Sequence, residues 1–338
     1  MRLLRRAIDN LYELMERNKY LKALKPVLNA TDEFFFGTDK VTRLPHILDY
    51  MDMKRFMSFV VIALMPAVIG AVYFWGMRVI AVILVSYIFG GIVEVIFAIT
   101  RKKEIHEGFL VTGLVFPLIL PPTVPLWVVA VGVVFATVFG KEVFGGTGRN
   151  IFNPAIVGRI FLTIAFPKIM TVNWQEPFMG GLGGILRYQN VDAVTAATPL
   201  GLFKSQGIVT SYMSLLFGQN AGCIGETFRV ALILGGLFLI FAKISDWRIP
   251  FGYLGSVSIA PLLFNHIFHT QFAPPLFHPF TKQGRWIAGI LLGLLTVLIR
   301  GISGYVEGVM FSILLVNAFT PLIDTLVLKA RYRKSKVK

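Results

Sequence analysis

A threonine hydroxyl flanked by small residues could accept a covalent modification. Thr195-Ala-Ala-Thr198-Pro-Leu begins three residues after Asp192, and its small neighbours would let a modifying enzyme reach the hydroxyl. The same residues are also typical of an ordinary helix start, with Asp192 or Thr195 as the N-cap. The segment therefore predicts either a modification site or a helix cap.

A glycine-rich segment between two apolar stretches could bind a planar ligand. It reads Lys141-Glu-Val-Phe-Gly-Gly-Thr-Gly-Arg-Asn150-Ile-Phe-Asn153-Pro. Its glycines let the backbone approach a ligand closely, and Asn150 and Asn153 add amide donors and acceptors suited to the polar edge of a flavin. The alternative is a tight turn between helices, followed by a helix that starts at proline. The segment lacks the Gly-Lys-Ser/Thr ending of a phosphate-binding P-loop.

Two carboxylates fall within apolar stretches. Glu94 follows the glycine pair Gly90-Gly91, and Asp324 lies near the end of the last apolar stretch. An ionisable side chain at membrane depth is energetically expensive, so by default it predicts an ion path or a proton relay. The alternatives are a carboxylate that reaches water at the interface and a glycine pair that only permits close helix packing.

The cysteine and histidines indicate little chemistry. Cys223 is the only cysteine, so this chain by itself offers no CxxC metal or iron–sulfur site and no intrachain disulfide. His266 and His269 share a helix face, but no second pair accompanies them for bis-histidine haem ligation. We predict no catalytic proton donor or nucleophile and no metal site.

The elements that must position these groups are membrane-spanning helices. Of the 338 residues, 55% are hydrophobic and 15% are charged, and the mean hydropathy is +0.70, which is too apolar for a soluble domain. The net charge of +15 does not indicate nucleic acid, because Lys and Arg concentrate at the two ends and in short loops, where the positive-inside rule places them. We predict an all-α, polytopic transmembrane helix bundle.

Apolar runs predict nine membrane spans, since roughly 20 apolar residues cross a bilayer. The runs are 55–76, 79–100, 108–120, 124–140, 151–166, 228–243, 251–268, 286–300 and 306–328. With the N-terminus in the cytoplasm, the basic loops follow the positive-inside rule as far as Arg248. Nine crossings would then leave the basic tail after Lys329 outside, so the parity predicts one further span.

An internal similarity indicates where that span belongs. Gly146-Thr-Gly148 ahead of the fifth span resembles Gly301-Ile-Ser-Gly304 ahead of the last, which predicts two inverted five-helix repeats. In the second repeat, the counterpart of 108–120 has no apolar run to represent it. Only Gln271-Phe-Ala-Pro-Pro-Leu-Phe-His-Pro-Phe280 stands in its place.

The spans and loops divide the chain into five segments. The first, 1–54, has the composition of a cytoplasmic amphipathic segment and of neither a signal nor a transit peptide. The others are a first transmembrane half (55–166), an external segment with the threonine motif (167–227), a second transmembrane half (228–328) and a basic cytoplasmic tail (329–338).

Several long strings resemble one known family. They are Arg101-Lys-Lys-Glu-Ile-His-Glu-Gly-Phe-Leu-Val-Thr, Pro121-Pro-Thr-Val-Pro-Leu-Trp127, the glycine-rich segment, Asn153-Pro-Ala, Ser245-Asp-Trp-Arg248 and Val316-Asn-Ala-Phe. In this order they resemble the B subunit of the sodium-translocating NADH:quinone oxidoreductases (NQR). The D subunit of the Rnf complexes shares the plan, but Lys141-Glu142 and Thr147-Gly-Arg149 are more similar to the quinone-reducing branch.

The resemblance implies two flavins. In this family FMN is attached by a phosphodiester to the last threonine of a D-x-x-[ST]-[GA]-A-T pattern. That threonine matches Thr198, with Asp192 at the head of the pattern, Thr195 within it, and Ala196 where glycine is usual. A riboflavin is placed by the asparagines that match Asn150 and Asn153.

The resemblance also implies a quinone site at Gly90-Gly91 and sodium movement past Glu94 and Asp324. Electrons would enter on FMN at the outer side, pass inward through riboflavin and reach quinone at the cytoplasmic side. NADH would bind another subunit, since no G-x-G-x-x-G follows a strand here. The implied partners are the other NQR subunits, a flavin transferase, quinone, Na⁺ and the lipid of a bacterial inner membrane, with no nucleic acid.

One departure from the family pattern concerns the second half. The family normally has a further helix that ends in an A-T-D-P motif, and its place falls between His278 and Pro279, where the parity already predicts a span. Two alternative functions remain. One is the Rnf-type ferredoxin:NAD⁺ complex, which uses the same flavin anchor but no quinone, and the other is a non-redox transporter built on an inverted repeat.

Overall fold

The computed structural model describes residues 53–102, 108–172, 174–177, 198–208, 210–218, 220–268, 282–302 and 308–335, with the single positions Asp9, Asn10, Tyr12, Leu28 and Asp32. Every regular element in these ranges is helical, which confirms the all-α fold. The predictions for most of 1–54, for Asp192, Thr195 and His269, and for the break between His278 and Pro279 fall outside the described residues.

The chain forms the following helices in order. They are α1 (Met53–Trp75), α2 (Arg78–Arg101), α3 (Gly108–Leu118), α4 (Leu126–Gly140), α5 (Pro154–Ala165), α6 (Pro167–Val172), α7 (Pro199–Gln206), α8 (Tyr212–Phe217), α9 (Arg229–Phe241), α10 (Arg248–Phe268), α11 (Lys282–Ile302) and α12 (Gly308–Ser335). Short 3₁₀ turns lie at Glu142–Phe144 and Ile224–Phe228.

Each predicted span coincides with a helix in the described part of the chain. Six stretches are long and apolar enough to cross a membrane: Arg55–Trp75, Arg78–Arg101, Leu126–Phe144, Ile224–Phe241, Gln283–Arg300 and Gly308–Ala330. Helices α3 and α5 have 11 and 12 residues and are only about 17 to 18 Å long, at 1.5 Å per residue. The protein is therefore a multi-pass helix bundle with both full-length and short helices.

Helices α2 and α4 pack side by side and run in the same direction. Arg78, which begins α2, donates a hydrogen bond to the carbonyl of Val124 just before α4 (3.0 Å). At the other end, Glu94 of α2 pairs with Lys141, the residue that follows α4. Parallel neighbours need a return crossing between them, and α3 provides it.

Helices α10 and α11 form a second parallel pair. Asp246, just before α10, accepts a hydrogen bond from Arg285 near the start of α11. Further along both helices, Gly293 lies against Ser256, leaving no room for a Cβ. Both helices therefore begin at the same end of the bundle.

The segment 269–281 joins the end of α10 to the start of α11, at opposite ends of this pair. Helix α10 has 21 residues and is about 31 Å long, whereas a helix made of 269–281 would be about 20 Å long. The pair requires a return crossing of the kind that α3 makes in the first half. This requirement falls where the sequence predicts the missing span.

Antiparallel packing of α1 against α9 joins the two halves. The Nε1–H group of Trp75 at the end of α1 donates to Thr227 Oγ1, just before α9, at 2.6 Å. Nearer the other end of the helices, the rings of Phe59 and Phe238 lie 5.8 Å apart. This packing places the start of α9 beside the end of α1.

The two ends of the bundle differ in charge. One end, called the basic end below, contains the end of α2 and the starts of α10 and α11, and α12 finishes there. Its basic residues are Arg101, Lys102, Lys141, Arg149, Lys243, Arg248, Lys282, Arg285 and Lys329, whereas the described helices and turns at the opposite end carry Arg78, Lys168, Arg229 and Arg300. The parallel α10–α11 pair therefore removes the conflict over the tail, which now follows the positive-inside rule with the other basic segments.

The first prediction concerns topology. A reporter fused after Lys338 should lie in the cytoplasm, because α12 ends at the basic end. Green fluorescent protein should fluoresce there and alkaline phosphatase should be inactive, whereas phosphatase fused after Thr123 should be active. An active phosphatase at Lys338 would contradict the parallel arrangement of α10 and α11.

The second prediction concerns Asp246. Burial by itself raises the pKa of this carboxyl, but hydrogen bonds from the Arg248 backbone and the Arg285 side chain, with the positive charges of both arginines, hold the pKa below its usual value. The resulting stabilisation is complete above the unfolded-state pKa and is lost as the pH falls through the folded-state pKa. Asp246→Asn should therefore destabilise the protein at neutral pH by about 1 kcal/mol.

Thermal unfolding of the detergent-purified protein measures this effect. The difference between wild type and Asp246→Asn should narrow below about pH 4, the ordinary range of an aspartate. Glu176→Gln is the control, since Glu176 is exposed and its loss should change little. A difference that is independent of pH would refute the assignment.

Candidate functional site

The two glycines of α2 face different neighbours. A Cβ on Gly90 would lie 3.2 Å from Val133 Cγ2 of α4, and one on Gly91 would lie 3.5 Å from Phe109 Cε2 of α3. Gly90 is buried and Gly91 is half-buried. The missing side chain at Gly90 therefore lets α2 approach α4 closely, as the packing alternative predicted.

Glu94 lies one turn after Gly90 on the same face of α2, and its carboxylate forms an ion pair with the Lys141 ammonium. The side chains are 7% and 3% exposed, so both charges are withdrawn from water. Breaking such a buried pair by removing one partner costs about 3–5 kcal/mol. Glu94 is thus a paired carboxylate inside the bundle and does not reach water at an interface.

A second ion pair adjoins the first at the basic end. Arg101 donates through Nη1 to Glu142 Oε2 at 2.8 Å and through Nη2 to the Glu142 carbonyl at 2.7 Å. The Arg101 guanidinium also lies 4.8 Å from the centre of the Phe97 ring. Two acidic and two basic side chains thereby tie the end of α2 to the chain that follows α4.

The glycine-rich loop turns sharply after these pairs. Gly145, Gly146 and Gly148 have φ angles of 111°, 95° and 85°, in the left-handed region that side chains disfavour. Thr147 packs against Gly108 at the start of α3, and its hydroxyl is buried without a hydrogen-bond partner. The loop thus encloses one polar group that the protein itself leaves unsatisfied.

The two predicted asparagines of this loop both make local hydrogen bonds. Asn150 Nδ2 donates to the Phe152 carbonyl at 2.9 Å, and Asn153 Oδ1 accepts from the Ala155 amide at 3.0 Å. Asn153 is the N-cap of α5 and Pro154 is its first residue, so the predicted proline-started helix is confirmed. The Asn153 Nδ2 group takes no part in that cap.

Thr198 is the N-cap of α7. Its Oγ1 accepts a hydrogen bond from the Gly201 amide at 3.2 Å, and Pro199 occupies the first helical position. The sequence placed a helix cap at Asp192 or Thr195, whereas the described cap is the candidate modification residue itself. Thr198 is half-buried.

Asp324 lies in α12, half-buried and within the stretch able to span a membrane. It is not part of the Glu94–Lys141 pair, so the two predicted carboxylates occupy separate positions. Among the residues that the structure describes, no three acidic, histidine or cysteine side chains come together in a way that could hold a metal ion.

Sequence reasoning missed two buried arginine contacts. Arg78 donates to the backbone carbonyls of Pro122, Thr123 and Val124 at 3.0–3.1 Å. Arg159, inside α5, donates to the Ile119 carbonyl and to Cys223 Sγ, the latter at 3.2 Å. The available signal was a basic residue within or beside an apolar run, because such a charge needs partners.

Comparison with known proteins places the whole chain. The model of the NQR2, RnfD, RnfE family matches residues 40–280 and 278–333. Proteins named as the B subunit of Na(+)-translocating NADH-quinone reductase from Klebsiella pneumoniae (strain 342) and Ectopseudomonas mendocina (strain ymp) are 30% and 32% identical, with 98% of this chain covered in both and 99% and 98% of theirs. A protein of the same name from Azotobacter vinelandii is 38% identical over 78% of this chain and 69% of its own.

The relatives have residues that this chain lacks. The match to the Klebsiella protein extends over 419 residues, although this chain has 338. The two segments matched by the family model meet at 278–280, in the connection between α10 and α11. This is also the position at which the parallel pair needs a return crossing.

The third prediction compares the two glycines. Gly90→Ala should destabilise the protein relative to Gly91→Ala by about 1 kcal/mol, because the new methyl group crowds Val133, whereas at position 91 it makes ordinary contact with Phe109. Thermal unfolding in detergent measures both variants, and Gly91→Ala serves as the matched control. Equal stabilities would show that α2 and α4 are not in close contact at Gly90.

Proposed function

The chain belongs to the NQR2, RnfD, RnfE family, and we propose that it is the B subunit of a Na⁺-translocating NADH:quinone oxidoreductase. In this role it is one membrane component of a larger complex in a bacterial inner membrane. Its partners are the other subunits, quinone, Na⁺ and lipid. The complex acts as an NADH:ubiquinone reductase, and this chain supplies the membrane part of the electron route.

The observation that carries this proposal is the extent of the match. A relative with this name is covered over 99% of its length by 98% of this chain, so the likeness is not confined to one motif. The family description also includes Rnf subunits. We favour the quinone reductase because the three relatives described above all have that name.

We propose that Thr198 carries a covalent FMN through a phosphodiester. Its oxygen lies at the N-terminus of α7 and contacts the Gly201 amide, so an attached phosphate would be close to the amides and the positive dipole end of the helix. The residues present therefore fit the group. Bound there, FMN would supply electron transfer, while Asp192 and Thr195 would belong to the motif that a flavin transferase recognises.

We place riboflavin at the glycine-rich loop. The Thr147 hydroxyl is buried without a partner, and the Asn153 amide nitrogen lies outside its own cap; both are groups that the polar edge of a flavin can satisfy. Asn150 instead holds the turn by donating to Phe152. In this proposal Asn150 shapes the loop, and Thr147 and Asn153 meet the ligand.

The quinone site is proposed beside Gly91, on the α3 side of α2. Gly90 is buried against Val133, so the half-buried Gly91, next to Phe109, is the more accessible member of the pair. We propose that Glu94 and Asp324 belong to the Na⁺ path, at separate positions in α2 and α12. Glu94 has the more defined surroundings, since both members of its ion pair are buried.

We further propose that the two halves, 55–166 and 228–328, are inverted repeats. The parallel pairs α2–α4 and α10–α11 occupy equivalent places, and α1 packs antiparallel to α9, as an inverted repeat requires. In this scheme a returning helix that the relatives possess belongs between α10 and α11. The external segment 167–227 and the cytoplasmic tail 329–338 follow from the same topology.

The fourth prediction tests the flavin anchor. When the protein is produced with the other subunits in a host that has the flavin transferase, the chain should carry one FMN, seen as yellow fluorescence on a denaturing gel and as added intact mass. Thr198→Ala should abolish both signals, because the acceptor oxygen is lost. Thr195→Ala is the matched control and should retain the flavin on Thr198.

An unmodified peptide around Thr198 in the wild type would disprove the flavin anchor. A modified Thr198 in a complex that is not inhibited by quinone analogues would instead favour the Rnf-type function. The two failures are therefore distinguishable.

A further inference from the structure

The Glu94–Lys141 pair has an unusual place for two opposite charges. Glu94 lies within the stretch Arg78–Arg101, which is able to span a membrane, and both side chains are almost fully buried. In a site of low dielectric the carboxylate must keep a counter-cation or become protonated. In the structure that cation is the Lys141 ammonium.

Lys141 holds Glu94 in a different way from the neighbouring Arg101–Glu142 pair. Arg101 makes two hydrogen bonds, to the side chain and the backbone of Glu142, in the fixed geometry of a guanidinium. Lys141 makes one contact, from a single nitrogen at the end of a flexible four-carbon chain. A monovalent ammonium held at one point is the type of group that a monovalent metal cation can replace.

The surroundings offer the displaced ammonium a second place. Lys141 follows the last residue of α4, where the negative end of the helix dipole favours a cation. The next residue is Glu142, whose other partner, Arg101, is 29% exposed and can turn towards water. Displacement would therefore leave each carboxylate with one counter-cation.

We propose that the Lys141 ammonium is a tethered cation that competes with Na⁺ for the Glu94 carboxylate. Na⁺ binds at Glu94 only when the ion pair opens, and the pair closes again when Na⁺ leaves. Lys141 thereby sets the Na⁺ concentration at which the site fills. This inference rests on the proposed function, in which Na⁺ is the transported ion.

The experiment measures quinone reductase activity of the purified complex against Na⁺ concentration. Lys141→Met keeps the apolar stem and removes the charge, so Na⁺ loses its competitor and the half-saturating Na⁺ concentration should fall by about fivefold or more. Lys243→Met is the matched control, because Lys243 is exposed at the same end of the bundle; its half-saturation should equal that of the wild type. A wild-type value for Lys141→Met would overturn the proposal, since a purely structural lysine would alter stability or turnover alone.

A measurement on the wild-type complex decides the matter even if Lys141→Met does not assemble. Reductive methylation followed by mass spectrometry should modify Lys141 faster in Na⁺ than in choline, because Na⁺ releases the ammonium from Glu94. Lys243 should react equally in both. Equal reaction of Lys141 in the two salts would overturn the proposal.

The same assays separate the two ideas. If wild-type quinone reduction responds to Na⁺ but Lys141 shows neither effect, competition at Glu94 is wrong and the proposed function stands. If wild-type activity does not respond to Na⁺ at all, the proposed function itself fails.

Discussion

The buried ion pair between Glu94 and Lys141 is the interaction on which the candidate site depends. Each charge makes the burial of the other possible, because neither could remain ionised alone inside the bundle. The pair joins α2 to the residue after α4 and so fixes how these two parallel helices lie side by side. The glycine-rich loop starts directly after Lys141, and its position depends on the same contact.

Parallel helix pairs impose the second constraint on the molecule. A chain whose two neighbouring helices both begin at one end must cross back between them, and lipid does not accept an unpaired backbone in that crossing. Helix α3 meets this requirement between α2 and α4. Between α10 and α11 the requirement falls at the place where the relatives have additional residues, so geometry, charge distribution and sequence comparison concern the same connection.

Much of the fold follows from hydropathy, because nine apolar runs coincide with nine helices in the described ranges. The direction of packing does not follow from hydropathy, and the sequence analysis therefore left the basic tail on the wrong side. Glu94 was recognisable as a carboxylate in a span. Its partner was not, because Lys141 is 47 residues away and becomes a neighbour only through parallel packing.

The loop residues show another limit of sequence reasoning. Asn150 and Asn153 were chosen for their amides, and the structure uses those amides first to hold a turn and to cap α5. The Thr147 hydroxyl has the clearer unmet need, yet a threonine among glycines gave no signal. Thr198 was singled out for its hydroxyl, and its capping role became evident only once α7 was seen to begin at Pro199.

A double-mutant cycle at Glu94 and Lys141 tests the central claim most directly. The unfolding free energies of the wild type, Glu94→Gln, Lys141→Met and the double variant would be measured in detergent. If the buried pair exists, each single variant should lose about 3–5 kcal/mol and the double variant should lose far less than the sum. Additive losses would mean that the two side chains are not partners, and the account of the site would be wrong.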